Sequence, residues 1–145
     1  MSRWPRLEAI PYARETLTAL RPGWIVALAT NAVDSGEAEI RDALARVQLD
    51  ECVDRVFCYQ LVGCKKPSPL FFEFILHDLG LDPSRVTMVG DNYEEDVLGA
   101  NRAGLRAVWF NPRSEAEHSG ELRRTVHDLR DLEPTLEAWG PETNG

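Results

Sequence analysis

Asp91 and Asp96 are the two residues of this sequence whose type and spacing most clearly indicate chemistry. The apolar pair Met88 and Val89 leads into Gly90 and Asp91, and Asp96 follows five residues after Asp91. A hard divalent cation such as Mg²⁺ requires oxygen ligands and usually keeps several of its waters. The pattern therefore predicts a strand with Asp91 at its polar carboxyl end, followed by Asp96 one helical turn further along the chain.

Two further groups of polar residues follow predicted strands. Thr30 and Asn31 come directly after an apolar run at 24–29, and Lys66 lies in the loop after a second predicted strand. Ligands of an open parallel sheet bind outside the carboxyl ends of its strands, where these residues and Asp91 are expected. A hydroxyl with backbone N–H groups, an ammonium and a carboxylate together describe a pocket for a phosphate paired with Mg²⁺.

Each of these residues also has a purely structural explanation. Thr30 and Asn31 could cap the next helix, and Lys66 could be a solvated loop lysine. Asp91 follows a glycine and could belong to a turn, while Asp96 could lie on the solvent face of a helix. Because these residues follow three predicted strands, a shared phosphate site is favoured over four unrelated structural roles.

Apolar runs alternate with amphipathic stretches along the chain, and this alternation predicts an α/β fold. Helical spacing predicts four helices, over residues 12–20, 35–48, 68–79 and 93–103. Near-continuous apolar runs predict four strands, over residues 24–29, 55–59, 85–89 and 106–110. Ser35 and Ser68 are the predicted N-caps, and Gly80 and Gly104 are the predicted helix ends. Such strands separated by helices imply a parallel sheet covered on both faces.

The sequence is expected to form a single domain over residues 1–145, with its core within 11–110. The segment 111–145 is expected to contribute a flexible polar loop at 114–124, an edge strand at 125–129 and a last helix at 132–139.

Charge and composition exclude several classes of protein. The chain has 24 acidic and 16 basic residues, which gives a net charge of −8, and its basic residues do not form a stripe. A nucleic-acid partner is therefore disfavoured. No apolar run approaches the roughly 20 residues of a membrane span, and the first residues contain no apolar leader region. Cys52, Cys58 and Cys64 fit neither a CxxC pair nor a zinc spacing, so we expect ordinary thiols in a reducing cytoplasm.

Three segments of the sequence resemble motifs of the haloacid dehalogenase (HAD) superfamily. Residues 27–31 resemble its second motif, 63–67 its third and 89–96 its fourth, in the family's order and spacing. The resemblance runs from about residue 11 to 109 and could continue to 139. It implies a three-layer Rossmann-like core with a parallel sheet.

The resemblance also implies a role for each candidate residue. Thr30 and the Asn31 N–H would hold a phosphoryl oxygen, and Lys66 would neutralise the phosphate and the nucleophile. Asp91 would bind Mg²⁺, and Asp96 would bind the metal or orient its waters. The Gly-Asp form of the fourth motif favours the phosphatase branch, close to the phosphoglycolate-phosphatase-like group, with a small phosphorylated metabolite as substrate.

The sequence departs from the family at its first motif. That motif carries the nucleophilic aspartate and an acid/base aspartate, yet this sequence contains no aspartate before Asp34. The family's helical cap would also lie ahead of the first predicted helix. The isolated chain is therefore expected to have little or no activity.

The strand that carries the first motif lies at the centre of the sheet in this family, between the strands predicted at 24–29 and 85–89. A buried unpaired backbone group costs about 1–3 kcal/mol. Several such groups would cost on the order of 10 kcal/mol, similar to the whole stability of a domain, which is about 5–15 kcal/mol. Residues 7–10 are too short and too polar to replace this strand. The alternatives are direct pairing of the flanking strands, a strand from a second copy of the chain, or a partner fragment.

Two classes of function remain open. The first is a Mg²⁺-dependent phosphomonoesterase that receives its aspartate from elsewhere. The second is a non-catalytic domain that keeps the phosphate and metal site for binding or for interaction. A flavodoxin-like or receiver-like domain is disfavoured because it would need an acidic cluster after the first strand, where Thr30 and Asn31 stand.

Overall fold

The structure is a computed structural model that describes residues 12–139. Its chain divides into two compact units, Met1–Lys65 and Lys66–Gly145. Both units contain parallel strands and helices, as expected for an α/β fold. The expectation of a single domain over 1–145 stays a prediction.

The described part of the first unit, from residue 12 onward, contains two parallel strands and the helices around them. In chain order its elements are α1 (Ala13–Leu20), β1 (Ala27–Ala29), α2 (Glu37–Arg46), a 3-10 turn (Asp50–Cys52), β2 (Arg55–Phe57) and α3 (Tyr59–Val62). Leu28 pairs with Val56 at the centre of the β1–β2 ladder. The Thr30 N–H donates to the Phe57 carbonyl at 3.0 Å and extends this ladder by one bond. The buried side chains of Ile40 and Leu44 on α2 contribute to the unit's core.

Asp54 fixes the approach of the chain to β1. Its carboxylate accepts hydrogen bonds from the Val26 N–H at 2.8 Å and from the Arg21 guanidinium at 2.5 Å. The Asp54 N–H in turn donates to the Val26 carbonyl at 2.7 Å. The Val26 N–H, followed by the Arg21 charge, holds the pKa of Asp54 below its usual value of 3.8.

Up to residue 139, the second unit contains three parallel strands, three α-helices and a π-helix, together with two 3-10 turns. In chain order its main elements are α4 (Pro69–Leu79), β3 (Thr87–Gly90), a π-helix (Tyr93–Leu98) that continues into α5 (Gly99–Arg102), β4 (Arg106–Phe110), β5 (Arg123–Val126) and α6 (Leu132–Trp139). Short 3-10 turns lie at Pro83–Arg85 and Leu129–Asp131. The strand order is β3-β4-β5, with Val89 opposite Val108 and Trp109 opposite Thr125.

The core of the second unit follows from the apolar runs of its sequence. Phe71 and Phe72 on α4 are fully buried and meet edge to face, with ring centroids 5.7 Å apart. Ala107 and Val108 on β4 are also fully buried, because β4 is the central strand of three. Arg106 and Arg124 lie over the ring of Trp139, and these cation–π contacts hold the end of α6 on the sheet.

Several predicted boundaries are confirmed and others are wrong. Ser68 caps α4 by accepting from the Leu70 N–H at 3.3 Å, and Gly80 ends this helix with a φ of 67°. Ser35 is not the cap of α2. Gly36 occupies that position, and its N–H donates to the Glu39 carboxylate at 2.9 Å.

Two predicted strands are longer than the observed ones. The predicted strand at 24–29 begins only at Ala27, since Trp24 and Ile25 are 40% and 55% exposed and lie outside the ladder. The predicted strand at 55–59 ends at Phe57 because the chain turns into α3. The last strand begins at Arg123, two residues before the predicted position, and within residues 12–139 it pairs only with β4, as an edge strand does.

The two flanking strands of the expected gap belong to different sheets. Among the described residues, β1 pairs only with β2, and β3 pairs only with β4. Direct pairing of the flanking strands stays one of the expected alternatives. The segment 7–10, considered as a substitute strand, lies outside the described residues. In the part of the chain that the structure describes, no helix has the length and apolar character needed to cross a membrane.

Candidate functional site

The centre of the candidate site is an ion pair between Lys66 and Asp96. The Lys66 Nζ lies 2.7 Å from Asp96 Oδ1, and the two side chains are 9% and 6% exposed. The second carboxylate oxygen, Oδ2, accepts from the Asn92 N–H at 3.1 Å. Two residues that the sequence placed in separate motifs are therefore brought into direct contact, and the buried charges compensate each other.

Gly90 makes room for the Asp96 carboxylate. A Cβ atom at position 90 would lie 2.1 Å from Asp96 Oδ2 and 2.3 Å from its Cγ. No side chain can be placed there unless Asp96 moves. The glycine of the Gly-Asp motif is therefore explained by close packing, since its backbone does not adopt a positive φ.

The turn that carries Asp96 is a π-helix. Asn92 caps it by accepting from the Glu95 N–H at 2.9 Å. The Gly99 N–H donates to the Glu94 carbonyl, which is the five-residue spacing that defines this helix. Sequence reasoning predicted an ordinary helix over 93–103, because a π-helix has no distinct periodic signal over six residues. Such turns are frequent at functional sites.

Packing of Pro67 fixes the neighbouring residue Lys66. Gly99 approaches Pro67 so closely that a Cβ on Gly99 would lie 2.8 Å from the Pro67 Cβ and 3.2 Å from a ring carbon of Phe72. Pro67 thus packs against Gly99 of α5, close to Phe72 of α4. This contact sets the point from which the Lys66 side chain reaches Asp96.

Asp91 differs from Asp96 in its exposure and in its partners. Its side chain is 35% exposed, and its Oδ2 lies 3.2 Å from an Arg113 guanidinium nitrogen. Its backbone carbonyl accepts from the Trp109 indole N–H at 3.1 Å. Asp91 is consequently the candidate carboxylate that solvent or a ligand can reach.

Aromatic side chains lie beside Asp91 and were missed by sequence reasoning. The rings of Tyr93, Trp109 and His118 pack together, with centroids 4.2–5.2 Å apart. The Tyr93 hydroxyl accepts from the Arg123 guanidinium at 2.6 Å. A signal was available, because Trp109 lies near the carboxyl end of a predicted strand, the same criterion that identified Asp91.

Thr30 and Asn31 lie in the first unit, directly after β1. Thr30 is buried, and its Oγ1 accepts from the Ala32 N–H at 3.1 Å. A hydroxyl that accepts one hydrogen bond retains its proton for donation. This local geometry agrees both with a cap on the turn after β1 and with a phosphoryl contact, so the two interpretations remain open.

The residues of the fourth motif fit Mg²⁺ only as a partial ligand set. Asp91 supplies reachable carboxylate oxygens, whereas Asp96 has Lys66 Nζ on one oxygen and a backbone N–H on the other. Among residues 12–139, no group of three or more metal-binding side chains converges. Mg²⁺ needs no such group, since it binds through one or two carboxylates, waters and substrate phosphate.

Comparison with known proteins assigns the family. A family model described as haloacid dehalogenase-like hydrolase matches residues 4–104, well over half of the chain. The chain belongs to this family. As a HAD-like hydrolase it has the parallel α/β architecture that the motifs implied, and the matched range includes Lys66, Asp91 and Asp96.

The chain is similar to curated phosphatases over part of their length. It is 38% identical to phosphoserine phosphatase of Thermus thermophilus over 117 residues, which are 79% of this chain and 45% of that protein. It is 30% identical to ribulose-1,5-bisphosphate 5-phosphatase of Halopiger xanaduensis over 139 residues, 95% of this chain and 56% of that protein. The chain thus spans about half the length of the curated relatives it matches.

Solved structures agree with this assignment. The 2-haloacid dehalogenase of Pseudomonas syringae pv. Tomato superposes with a TM-score of 0.74 at 28% identity, covering 90% of this chain and 54% of that one. The family therefore includes relatives named as dehalogenases as well as phosphatases, and the fold alone does not choose between their reactions.

Proposed function

We propose that this chain is the core of a Mg²⁺-dependent phosphomonoesterase acting on a small phosphorylated metabolite. The observation that supports the proposal is the Lys66–Asp96 pair at 2.7 Å. It holds an ammonium group on Asp96, which lies five residues along the chain from the reachable Asp91 carboxylate. A fixed ammonium and a metal-binding carboxylate are the groups that phosphoryl transfer requires for charge neutralisation.

Each residue has a defined part in this proposal. Lys66, held in place by Asp96, offsets the negative charge that develops on the phosphoryl oxygens. Asp91 binds Mg²⁺, which would polarise a phosphoryl oxygen when present. Asp96 positions Lys66 and the Asn92 turn. Thr30 donates its hydroxyl proton, and Asn31 its backbone N–H, to a phosphoryl oxygen.

The nucleophile must come from outside the candidate residues. An aspartate attacks phosphorus and the ester bond to the alcohol breaks, so that the alcohol leaves with a proton and an aspartyl-phosphate forms; water then hydrolyses it to inorganic phosphate and the free carboxylate. Since the sequence has no aspartate before Asp34, we propose that this group is supplied by chain or partner beyond these 145 residues. Loss of a nucleophile costs several orders of magnitude in rate, so the chain alone should be nearly inert.

The alternative is a non-catalytic domain that binds phosphate and metal. The ion pair that holds Lys66 and the reachable Asp91 carboxylate would serve binding alone as well as catalysis. Turnover of p-nitrophenyl phosphate with and without Mg²⁺ tests whether a nucleophile reaches this site, with Asp91→Asn as the control for contaminating phosphatase. Mg²⁺-dependent turnover that Asp91→Asn abolishes supports the enzyme.

Binding measurements decide the case in which turnover is absent. Calorimetry with inorganic phosphate or vanadate in the presence of Mg²⁺ tests the binding function. Lys66→Ala should weaken binding more than Lys65→Ala, because the Lys65 side chain is exposed whereas Lys66 is held by Asp96. No turnover together with no phosphate binding would refute both functions.

We further propose that a second copy of the chain or a partner fragment supplies a missing strand. The support is that β3, within the described residues, uses only one of its two edges. An edge strand presents unpaired N–H and C=O groups to another chain. Light scattering on the eluted protein should show an assembly larger than 16.3 kDa; a cooperatively folding monomer at micromolar concentration would count against this proposal.

A further inference from the structure

Arg113 contacts Asp91 from a turn that the buried Asn111 side chain stabilises. Asn111 is almost fully buried and donates from its side chain to the Ser114 hydroxyl at 2.9 Å and to the Ala116 carbonyl at 3.0 Å. The Asn111 side-chain oxygen accepts from the Arg113 N–H at 3.3 Å. The backbone of Arg113 is therefore positioned by the fold.

The same turn is fastened to the neighbouring strand. The Asn111 N–H donates to the Val126 carbonyl at 2.8 Å, and the His127 Nδ1 lies 2.8 Å from the Asn111 carbonyl. On the other side, the Trp109 indole holds the Asp91 carbonyl. Asp91 is thus contacted at two points, at its backbone carbonyl by Trp109 of β4 and at its carboxylate by Arg113 in the segment after β4.

The guanidinium of Arg113 lies against one of the two carboxylate oxygens that Asp91 offers to a cation. It lies 3.2 Å from Asp91 Oδ2, while its own side chain is 65% exposed and can turn into solvent. A guanidinium and Mg²⁺ cannot both approach the same oxygen closely, because both carry positive charge. From this we infer that Arg113 is an internal competitor for the divalent cation at Asp91 and a positioning residue for that carboxylate.

This inference rests on the proposed function, since it takes Asp91 as the Mg²⁺ ligand. Arg113 offsets the charge of Asp91 in this structure and would have to leave Oδ2 for a cation to bind that oxygen. Exposed ion pairs contribute little, typically less than 1 kcal/mol, so the competition is modest and easily reversed. Its effect is to raise the Mg²⁺ concentration at which the site fills.

Calorimetric titration of the full chain with Mg²⁺ tests the inference without measuring activity. Arg113→Gln should bind Mg²⁺ about two- to fivefold more tightly than the wild type, corresponding to the upper range for an exposed pair. Arg113→Lys, which keeps the charge, should remain close to the wild type. Arg102→Gln removes the same charge from the exposed last turn of α5 and should change the affinity less.

Asp91→Asn separates the possible failures. If Asp91→Asn loses Mg²⁺ binding and Arg113→Gln binds as weakly as the wild type, the competition is refuted while the metal assignment stands. If Mg²⁺ binding is insensitive to Asp91→Asn, or no protein binds Mg²⁺, both the metal assignment and the role of Arg113 are wrong. Equal thermal midpoints of all variants show that the comparison concerns folded protein.

Discussion

Replacement of Lys66 by methionine tests the ion pair on which the candidate site depends. In the wild type the Asp96 carboxylate is 6% exposed and has the Lys66 ammonium at 2.7 Å and the Asn92 N–H at 3.1 Å. Methionine retains most of the volume of the lysine stem but removes the charge. Lys66→Met therefore leaves a buried carboxylate with the backbone N–H as its main compensation among these contacts.

The magnitude follows from the burial of the pair. Removing one partner of a buried ion pair costs about 3–5 kcal/mol, because the remaining charge is uncompensated. For a chain of this size, 1 kcal/mol lowers the thermal midpoint by about 2–4 °C. Lys66→Met should therefore lower the midpoint by about 6–20 °C in thermal unfolding followed by circular dichroism at neutral pH.

Lys65→Met is the matched control. Lys65 precedes Lys66 in the same loop and is exposed, so its replacement should change the stability by no more than about 0.5 kcal/mol. The double variant Lys66→Met/Asp96→Asn should be more stable than Lys66→Met alone, because a neutral amide is cheaper to bury than a carboxylate.

Two results would refute this reasoning. Equal midpoints for Lys66→Met and Lys65→Met would show that the Lys66 charge does not compensate Asp96. A double variant that is less stable than Lys66→Met by the full effect of Asp96→Asn would show that the two side chains act independently.

Three further predictions concern packing and pH. Gly90→Ala should destabilise the protein by about 1–3 kcal/mol in urea unfolding, since its Cβ would overlap the Asp96 carboxylate; Gly120→Ala, with its nearest atom at 3.4 Å, is the control. The pKa of His127 is raised above 6.5, mainly by the Asn111 carbonyl and then by Glu117, so the stability it contributes is complete below pH 6.5 and is lost as the pH rises through the raised value. His127→Gln should flatten the decrease in thermal midpoint above pH 6.5, and an unchanged slope would contradict this assignment. Because its pKa is lowered, Asp54 contributes stability above pH 3.8 that is lost as the pH falls further. Asp54→Asn should reduce this acid-induced loss when thermal midpoints are measured over a pH series. A series identical to that of the wild type would show that Asp54 does not contribute to the loss.

Local sequence signals predicted the elements that depend on neighbouring residues. The N-cap Ser68 and the terminal Gly80 of α4 were identified correctly, because capping is a property of a few consecutive positions. The strand at Arg106–Phe110 was also predicted with its observed bounds. Its fully apolar centre belongs to the middle strand of the sheet, where burial on both faces favours such runs.

The errors arose where tertiary contacts override local preference. Ser35 is a good capping residue, but it is buried, and the Glu39 carboxylate takes the Gly36 N–H instead. Trp24 and Ile25 have high strand propensity, yet they are exposed and lie outside the β1 ladder. Strand propensity describes how a residue fits a half-buried pleated surface, and only the partner strand decides whether that surface exists.

The sequence by itself determined the alternation of strands and helices and the spacing of Gly90, Asp91 and Asp96, because these depend on short-range periodicity. Only the tertiary structure decided that Lys66 pairs with Asp96, thirty residues away, and that Arg113 lies on Asp91. Contacts between distant residues depend on strand register and on the packing of Pro67 against Gly99. No local pattern encodes those distances, since they are set by the elements that lie between the residues.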